Sequence, residues 1–162
     1  MNRRDHGGHA GPDAIVREVR VPVPVGTAFR EFHERVARWW PVDYAVAGRA
    51  FRITVIEPWA GGRWFARTEG AGAAAWGEVT EWRPPMRMVL SWRVSASRSL
   101  EPETRASEVA IDFAADGASS TRVRLVHRHF ARHGGDAEGL RGSMASVDGW
   151  QRILAGYRGE VG

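Results

Sequence analysis

The sequence predicts an α+β protein, in which one antiparallel sheet carries helices on a single face. Three observations favour this class. Apolar and polar residues alternate over seven segments, the connections within the last six of these are too short for crossover helices, and helical spacing appears only after the first segment and near the C-terminus. This order of strand, helix, six-stranded meander and long helix is an α+β layout. The length of 162 residues is that of one domain.

The chain begins with a tail, a strand and a helix. Residues 1–13 are polar and glycine-rich, which predicts a disordered tail ahead of a single domain over residues 14–162. IVREVRV (15–21) alternates apolar and charged residues, as a half-buried strand does. Apolar residues then recur at three- and four-residue spacing, which predicts a helix from about Val25 to Arg38 that Pro41 ends.

Six strands follow, separated by turns rich in glycine, serine and proline. Within the first of them, Phe51, Ile53 and Val55 share one face. The short connections make successive strands neighbours in the sheet. The predicted strands are FRITVIEP (51–58), RWFART (63–68), AAWGEVTEW (74–82), MRMVLSWRV (86–94), SEVAIDFAA (107–115) and TRVRLVHRHF (121–130).

A long helix ends the chain. An apolar stripe predicts a helix of roughly twenty residues that begins near Asp136, which could cap it. Glycines recur there every seven residues, and on one flank they would let the helix backbone lie close against the sheet. The stripe is Leu140, Met144, Val147, Ile153, Leu154 and Tyr157, and the glycines are Gly142, Gly149 and Gly156.

Composition narrows the function classes. The net charge is +4, but all 23 basic residues are scattered arginines, which favours a compositional bias over a nucleic-acid surface. The chain has no apolar run of about 18 residues and no secretory signal pattern, so we expect no membrane span and a cytoplasmic location. It has no cysteine, which excludes disulfides and thiolate metal sites.

Five segments carry a family resemblance: AFREFHERVARWWP, EPWAGGRWF, WGEVTEWRPPMRMVLSW, a strand ending LVHRHF, and GWQRIL. In this order they resemble the activator-of-Hsp-90-ATPase-homologue-like branch of the START-like superfamily, which also holds polyketide cyclases. The resemblance covers residues 14–158. It implies a helix-grip fold, with a curved seven-stranded antiparallel sheet around a long C-terminal helix and one or two short helices after the first strand.

The resemblance implies a binding protein more than an enzyme. The superfamily binds hydrophobic or aromatic small molecules, and some members catalyse reactions on them. We therefore expect a small hydrophobic or aromatic ligand in a cavity between sheet and helix, with no cofactor. Two alternatives stay open: a chaperone-associated interaction module, suggested by the family name and by Arg122, Arg124 and Arg128 on one strand face, and a cyclase- or hydrolase-like enzyme. The sequence allows a monomer or a homodimer.

The eight tryptophans are the most unusual feature of the composition. Tryptophan suits the wall of an aromatic-ligand cavity, and equally a packed core. Alternation places Trp92 on an apolar face, whereas Trp76 and Trp82 share a strand face with Glu78 and Thr80 and could as well cover the outer sheet. The predicted ligand-binding residues are Trp40, Phe51, Trp64, Trp92, His127, His129, Met144 and Trp150.

LVHRHFARH (125–133) concentrates three histidines. Alternation puts His127 and His129 on the inward face, with His127 at the end of the cavity, while His133 lies beyond the strand and its direction is not predicted. The resemblance also matches His127 to a histidine frequent in the family. A metal site would need a third ligand, so none is predicted. The open roles for His127 are a structural histidine, a polar anchor for the ligand, or an acid/base group.

No catalytic constellation is visible along the chain. Glu81 and Glu108 have no histidine partner in the sequence pattern. Ser91 and Ser107 lack the sharp strand-to-helix turn of a nucleophile elbow. The residues therefore favour a binding protein over an enzyme, without excluding catalysis that depends on cavity shape.

Overall fold

The computed structural model describes residues 11–41, 51–68 and 73–161, except for the side chains of residues 51, 52 and 68. Seven antiparallel strands form one sheet in the order β1-β7-β6-β5-β4-β3-β2. Every neighbour pair from β2 to β7 is consecutive in the chain, as short connections require. The strands are β1 (Ile15–Val21), β2 (Phe51–Ile56), β3 (Arg63–Thr68), β4 (Ala73–Arg83), β5 (Arg87–Trp92), β6 (Ser107–Ala115) and β7 (Thr121–Arg128).

Two short helices follow β1, where the spacing predicted one. They are α1 (Val25–Glu34) and α2 (Val36–Trp39), separated by Arg35, whose φ of −108° and ψ of 13° break the helix. Residues 42–50, which the sequence predicts to be a loop, and most of the predicted tail lie outside the described part of the chain.

The C-terminal helix is interrupted. A 3-10 segment (Phe130–Asp136), kinked at Gly134, leads into α3 (Ala137–Ala145), and one π-helical turn (Val147–Gln151), kinked at Gly149 with a ψ of −131°, joins α3 to α4 (Arg152–Glu160). Asp136 lies at the predicted start, but its carboxylate accepts a hydrogen bond from the backbone N–H of Ala96 at 2.6 Å, and its side chain caps no helical N–H. The prediction of one continuous helix is therefore wrong at the π-helical turn.

The core lies between the inner face of the sheet and the helices. Phe32 of α1 packs edge-on against Phe113 of β6 and Tyr157 of α4. The Tyr157 hydroxyl donates to the carbonyl oxygen of Ala28 at 2.8 Å, which ties α4 to α1. Alternation predicts the inward face correctly on β5, where Trp92 is buried, and on β7 as far as His127.

Two β-bulges change which side chains of β4 point toward the core. Register shifts occur opposite β3, between Trp64 and Phe65, and opposite β5, between Val79 and Glu81. Each bulge adds one residue to a strand and so breaks strict alternation. Trp76 is consequently buried while Glu78 remains exposed, although alternation places the two on one face. On β2, Thr54 and Ile56 are buried, so the predicted shared face of Ile53 and Val55 is the outer one.

Two of the C-terminal glycines permit close backbone contacts, but neither contact is with the sheet. A Cβ on Gly149 would lie 2.2 Å from the Met144 carbonyl oxygen, and one on Gly156 would lie 2.4 Å from the Trp39 carbonyl oxygen. A Cβ on Gly142 would meet no atom within 4 Å among the described residues. The expected approach to the sheet is therefore wrong, since these glycines fit the helices to one another.

The outer face of the sheet carries ion pairs between side chains on neighbouring strands. Arg87 donates to both oxygens of Asp112, at 2.9 and 2.8 Å, and to Glu81 at 3.0 Å. Arg122 lies 3.4 Å from Glu18. Arginines on this face therefore have carboxylate partners on neighbouring strands, which is typical of a solvated surface.

Candidate functional site

Five tryptophans meet at the centre of the core. Trp64 on β3 lies 5.0 Å from Trp76 and 5.4 Å from Trp92, measured between ring centroids. Trp150 lies 5.3 Å from Trp92, and Trp40, which follows α2, lies within 5.2 to 6.4 Å of the other four rings. Edge-to-face and tilted pairs at these distances are favourable. The sequence predicts four of these five tryptophans as site residues; Trp76 joins them because of the β4 bulge.

A narrow apolar gap remains beside this cluster. Its volume is about 10 Å³, which is room for no more than one water molecule. The gap lies between the inner face of the sheet and the helices, and the cavity predicted here is closed in this conformation. Its described lining consists of Phe32, Trp39, Trp40, Ile56, Trp64, Leu90, Val109, Ile111, Leu125 and Trp150.

His127 lies at the end of the tryptophan cluster. Its ring is fully buried on β7, 5.4 Å from the Trp92 ring and 4.2 Å from Phe130. Both of its nitrogens have partners: Nδ1 accepts a hydrogen bond from the Trp150 indole N–H at 3.0 Å, and Nε2 lies 2.7 Å from Ser107 Oγ. The predicted inward direction of His127 is correct.

The hydrogen bonds continue from Ser107 to the surface. His133, in the 3-10 segment, places Nε2 2.9 Å from Ser107 Oγ and Nδ1 3.0 Å from Glu101 Oε1. His133 and Ser107 are buried, whereas the Glu101 side chain is 12% exposed. A chain of four side chains thus runs from His127 to the Glu101 carboxylate, which lies just beneath the protein surface with its Oε2 buried.

The two ends of this chain determine where its protons lie. The Trp150 indole nitrogen can only donate, so His127 Nδ1 must be bare and neutral His127 carries its proton on Nε2. An ionised Glu101 can only accept, so His133 carries its proton on Nδ1 and its Nε2 is free to accept. With His133 neutral, Ser107 accepts from His127 and donates to His133 at 2.9 Å, in preference to the Trp92 carbonyl oxygen at 3.5 Å. Every hydrogen bond points from Trp150 toward Glu101.

Electrostatics agrees with a neutral His127. Burial away from water holds the pKa of His127 well below its usual value, and the neighbouring His133 lowers it further. Protonation at Nδ1 would also direct a second N–H at the Trp150 indole N–H. The ring is therefore suited to accept a proton only when a different partner faces Nδ1.

His129 does not join this site. Strand β7 ends at Arg128, and His129 has a φ of 66° and a ψ of 36°, the left-handed conformation. Its side chain is 45% exposed, and Nε2 lies 3.9 Å from Glu108. The predicted inward face of His129 is wrong, because alternation stops where the strand does. His127 and His129 consequently cannot face one metal ion.

Two other predicted residues need comment. Met144 is buried on α3, outside the described lining of the gap. Phe51 begins β2, but its side chain lies outside the described part of the structure. Whether any predicted residue contacts a ligand stays a prediction.

The site also contains residues that the sequence did not reveal. Glu101 and Ser107 come from different parts of the chain from His133, and no local motif links the three. The closest signal was the density of histidines around His133. Within the described residues, no three metal-binding side chains lie close enough to hold one ion.

Residues 28–158 match the family model described as Activator of Hsp90 ATPase homolog 1-like protein. The chain belongs to this family. A comparison with curated proteins finds no match. None of the described helices of this family member is long and apolar enough to cross a membrane.

Solved structures give the same fold. The anthrahydroquino-gamma-pyrone synthase Txn09 is 29% identical, with a TM-score of 0.65 over 93% of this chain and 100% of its own. CalC, a self-sacrificing resistance protein from Micromonospora echinospora, is 27% identical, with a TM-score of 0.63 over 91% of this chain and 92% of its own. An Aeromonas hydrophila protein of the same family is 17% identical, with a TM-score of 0.55 over 90% of this chain and 89% of its own. The curled seven-stranded sheet and C-terminal helix are the helix-grip fold, and family and fold fit a START-like ligand-binding or cyclase-type protein.

Proposed function

We propose that the protein binds a small aromatic or hydrophobic molecule between the sheet and the C-terminal helices, at the tryptophan cluster. The observation that carries this proposal is the position of Trp150. Its ring lines the apolar gap, and its N–H is bound by the buried His127. The protein thus holds an aromatic ring with a hydrogen-bond donor at the place where a ligand of the same kind would lie.

Binding requires the gap to open. Ligand cavities commonly measure about 300–1,000 Å³, whereas the gap measures about 10 Å³. Trp150 is the side chain best placed to move, because it belongs to the π-helical turn Val147–Gln151 between α3 and α4. That turn also contains Val147, which is 68% exposed, so one side of the segment faces solvent, while displacing Trp150 must break its contacts with Trp92 and His127.

Two polar atoms lie behind the apolar lining of the gap, and a ligand with both a donor and an acceptor could reach them once the gap opens. Displacing Trp150 leaves His127 Nδ1 free to accept a hydrogen bond from the ligand. Trp39 also lines the gap, and its buried indole N–H has no hydrogen-bond partner among the described residues. A buried donor without a partner costs about 1–3 kcal/mol, so an acceptor atom on the ligand would gain from reaching it.

The comparisons support the same class of ligand. Txn09, which is 29% identical to this chain, is named as an anthrahydroquino-gamma-pyrone synthase. Fused aromatic rings match a site whose walls are indoles, since flat rings stack well on one another. The likeness supports a cyclase-type role as the second candidate, and His127 is the residue that would act in it.

The test compares naphthol with naphthalene, which has no hydroxyl group. Both should raise the unfolding temperature in a concentration-dependent way, with a stabilisation of about 2.7 kcal/mol at one hundred times Kd. Naphthol should bind more tightly, and His127→Gln should remove that advantage. His129→Gln is the matched control and should leave both affinities unchanged. If neither compound raises the unfolding temperature, the proposed function is wrong.

The chaperone-associated alternative gains no support from the outer sheet face. Arg122 pairs with Glu18, and Arg128 pairs with Glu108. The alternative predicts that a chaperone pull-down is lost when Arg122, Arg124 and Arg128 are changed to alanine together. The cytoplasmic location and the monomeric or homodimeric state also stay predictions.

A further inference from the structure

The hydrogen-bond chain behind the ligand site has one direction. Trp150 donates to His127, and an ionised Glu101 can only accept from His133, so with both histidines neutral the protons between them have a single arrangement that leaves each nitrogen and hydroxyl paired. Buried polar networks that satisfy every member are ordered and specific. This one spans the distance from the core to a partly exposed carboxylate, with the buried Ser107 at its centre.

The interior end of the chain is closed by a side chain that resembles a ligand. As long as the Trp150 indole N–H faces Nδ1, His127 receives a hydrogen bond from a group too weakly acidic to lose its proton. A phenol in the same place also presents an aromatic ring and a donor, but its O–H is far more acidic. The exchange of one for the other converts a hydrogen bond into a route for proton transfer.

The outer end of the chain can take up a proton. Glu101 Oε1 accepts from His133, while Oε2 has no hydrogen-bond partner among the described residues and lies 3.6 Å from Arg105 Nε. Among the described groups acting on His127, the titratable one is His133. The rings packed on it, Trp92, Phe130 and Trp150, carry no charge.

We propose that His127, Ser107, His133 and Glu101 form a relay that takes the proton of a phenolic ligand and carries it outward to the Glu101 carboxylate, just beneath the protein surface. This proposal rests on the proposed function and names its ligand class: an aromatic compound with an acidic hydroxyl group. The bound ligand becomes a phenolate, which is the electron-rich form that attacks electrophiles in ring-forming reactions.

The transfer balances as four shifts along hydrogen bonds. The ligand O–H bond breaks as His127 Nδ1–H forms, and His127 Nε2–H breaks as a new Ser107 O–H forms. The original Ser107 hydroxyl proton moves to His133 Nε2, and the His133 Nδ1 proton moves to Glu101. Both histidines finish neutral as the opposite tautomers, the ligand gains one negative charge and Glu101 loses one. No electrons are exchanged with any other group.

The relay is tested with para-nitrophenol, whose phenolate absorbs visible light, and para-nitroanisole, which cannot ionise. At a pH below the pKa of the free phenol, the bound phenol should show a severalfold larger phenolate fraction than the free phenol. Glu101→Gln keeps a hydrogen-bond acceptor for His133 but cannot take the proton as a carboxylate does. It should still bind both probes and lose the phenolate signal. Glu103→Gln, an exposed neighbour, is the matched control and should keep the signal.

Each outcome decides between the two proposals. If para-nitroanisole binds and para-nitrophenol binds without ionising, the relay is wrong and the ligand site stands. If neither probe binds, both proposals are wrong. Nitrogen NMR of the ligand-free protein supplies an independent check, because the relay requires His127 as the Nε2–H tautomer and His133 as the Nδ1–H tautomer. The opposite tautomer at either ring overturns the relay even if a variant fails to fold.

Discussion

At the scale of single residues, His127 makes stability depend on pH. Its pKa is lowered by folding, so the unfolded chain binds the proton more tightly and protonation favours unfolding. The unfolding free energy should therefore fall as the pH drops below the ordinary histidine value of 6.5, and the loss should continue down to the lowered pKa. One such group contributes up to about 1.4 kcal/mol per pH unit.

The measurement is urea unfolding at about pH 8 and about pH 5.5, on either side of the ordinary histidine pKa. His33 and His129 have pKa values lowered in the same direction, so His127→Gln should reduce the pH dependence without abolishing it. His129→Gln should reduce it less, since the His129 side chain is exposed. An equal reduction in the two variants would contradict the special position of His127.

The same residues show which contacts a sequence can predict. Alternation along β7 places His127 inward because strand geometry alone decides its direction. Alternation fails two residues later, at His129, because the strand ends there and the His129 backbone adopts the left-handed conformation. Ser107 and His133, which are in hydrogen-bond contact, lie 26 positions apart in the sequence. His133 belongs to a 3-10 segment, and neither strand nor helix periodicity predicts where its side chain points.

At the scale of elements, the interruption of the C-terminal helix rests on one glycine. A Cβ at position 149 would overlap the Met144 carbonyl, so Gly149→Ala should lower the unfolding free energy by about 1–3 kcal/mol. Gly142 lies within α3 with open space around it, so Gly142→Ala should raise the unfolding free energy by about 0.5–1 kcal/mol. Thermal or urea unfolding measures both. Equal effects of the two changes would mean that the interruption does not depend on Gly149.

Periodicity predicts the elements but not their irregularities. The helical stripe includes Val147, yet this residue is exposed because the π-helical turn rotates the chain between α3 and α4. The alternation on β4 groups Trp76 with Glu78, yet the bulge separates them. Where a strand or a helix takes in an extra residue depends on close contacts such as that of Gly149 with Met144. These contacts form only in the complete fold, so periodicity does not reveal them.

At the scale of the whole molecule, the order of elements was enough to predict the sheet with its C-terminal helix. Short connections leave consecutive strands no choice but to pair. The closing pair is different, because β1 and β7 come from opposite ends of the chain. Their pairing buries Ile15 and Val21 beside β7 and places His127 next to the C-terminal helices. The location of the candidate site therefore follows from the topology, while its closed state follows from how the tryptophans pack.

That packing can be opened deliberately. Trp150→Ala removes a buried indole and the donor to His127 Nδ1, so it should lower the unfolding free energy by about 3–5 kcal/mol. Added indole supplies the same ring and the same N–H, and at one hundred times Kd it should restore about 2.7 kcal/mol. Indene has nearly the same shape without the N–H and should restore less. Trp59→Ala is the matched control: this tryptophan is 52% exposed, so its loss should cost little, and indole should stabilise this variant less because Trp150 still fills the space beside His127. If indole stabilises both variants equally, the space beside His127 does not select its occupant, and the displacement of Trp150 cannot be the route by which a ligand enters.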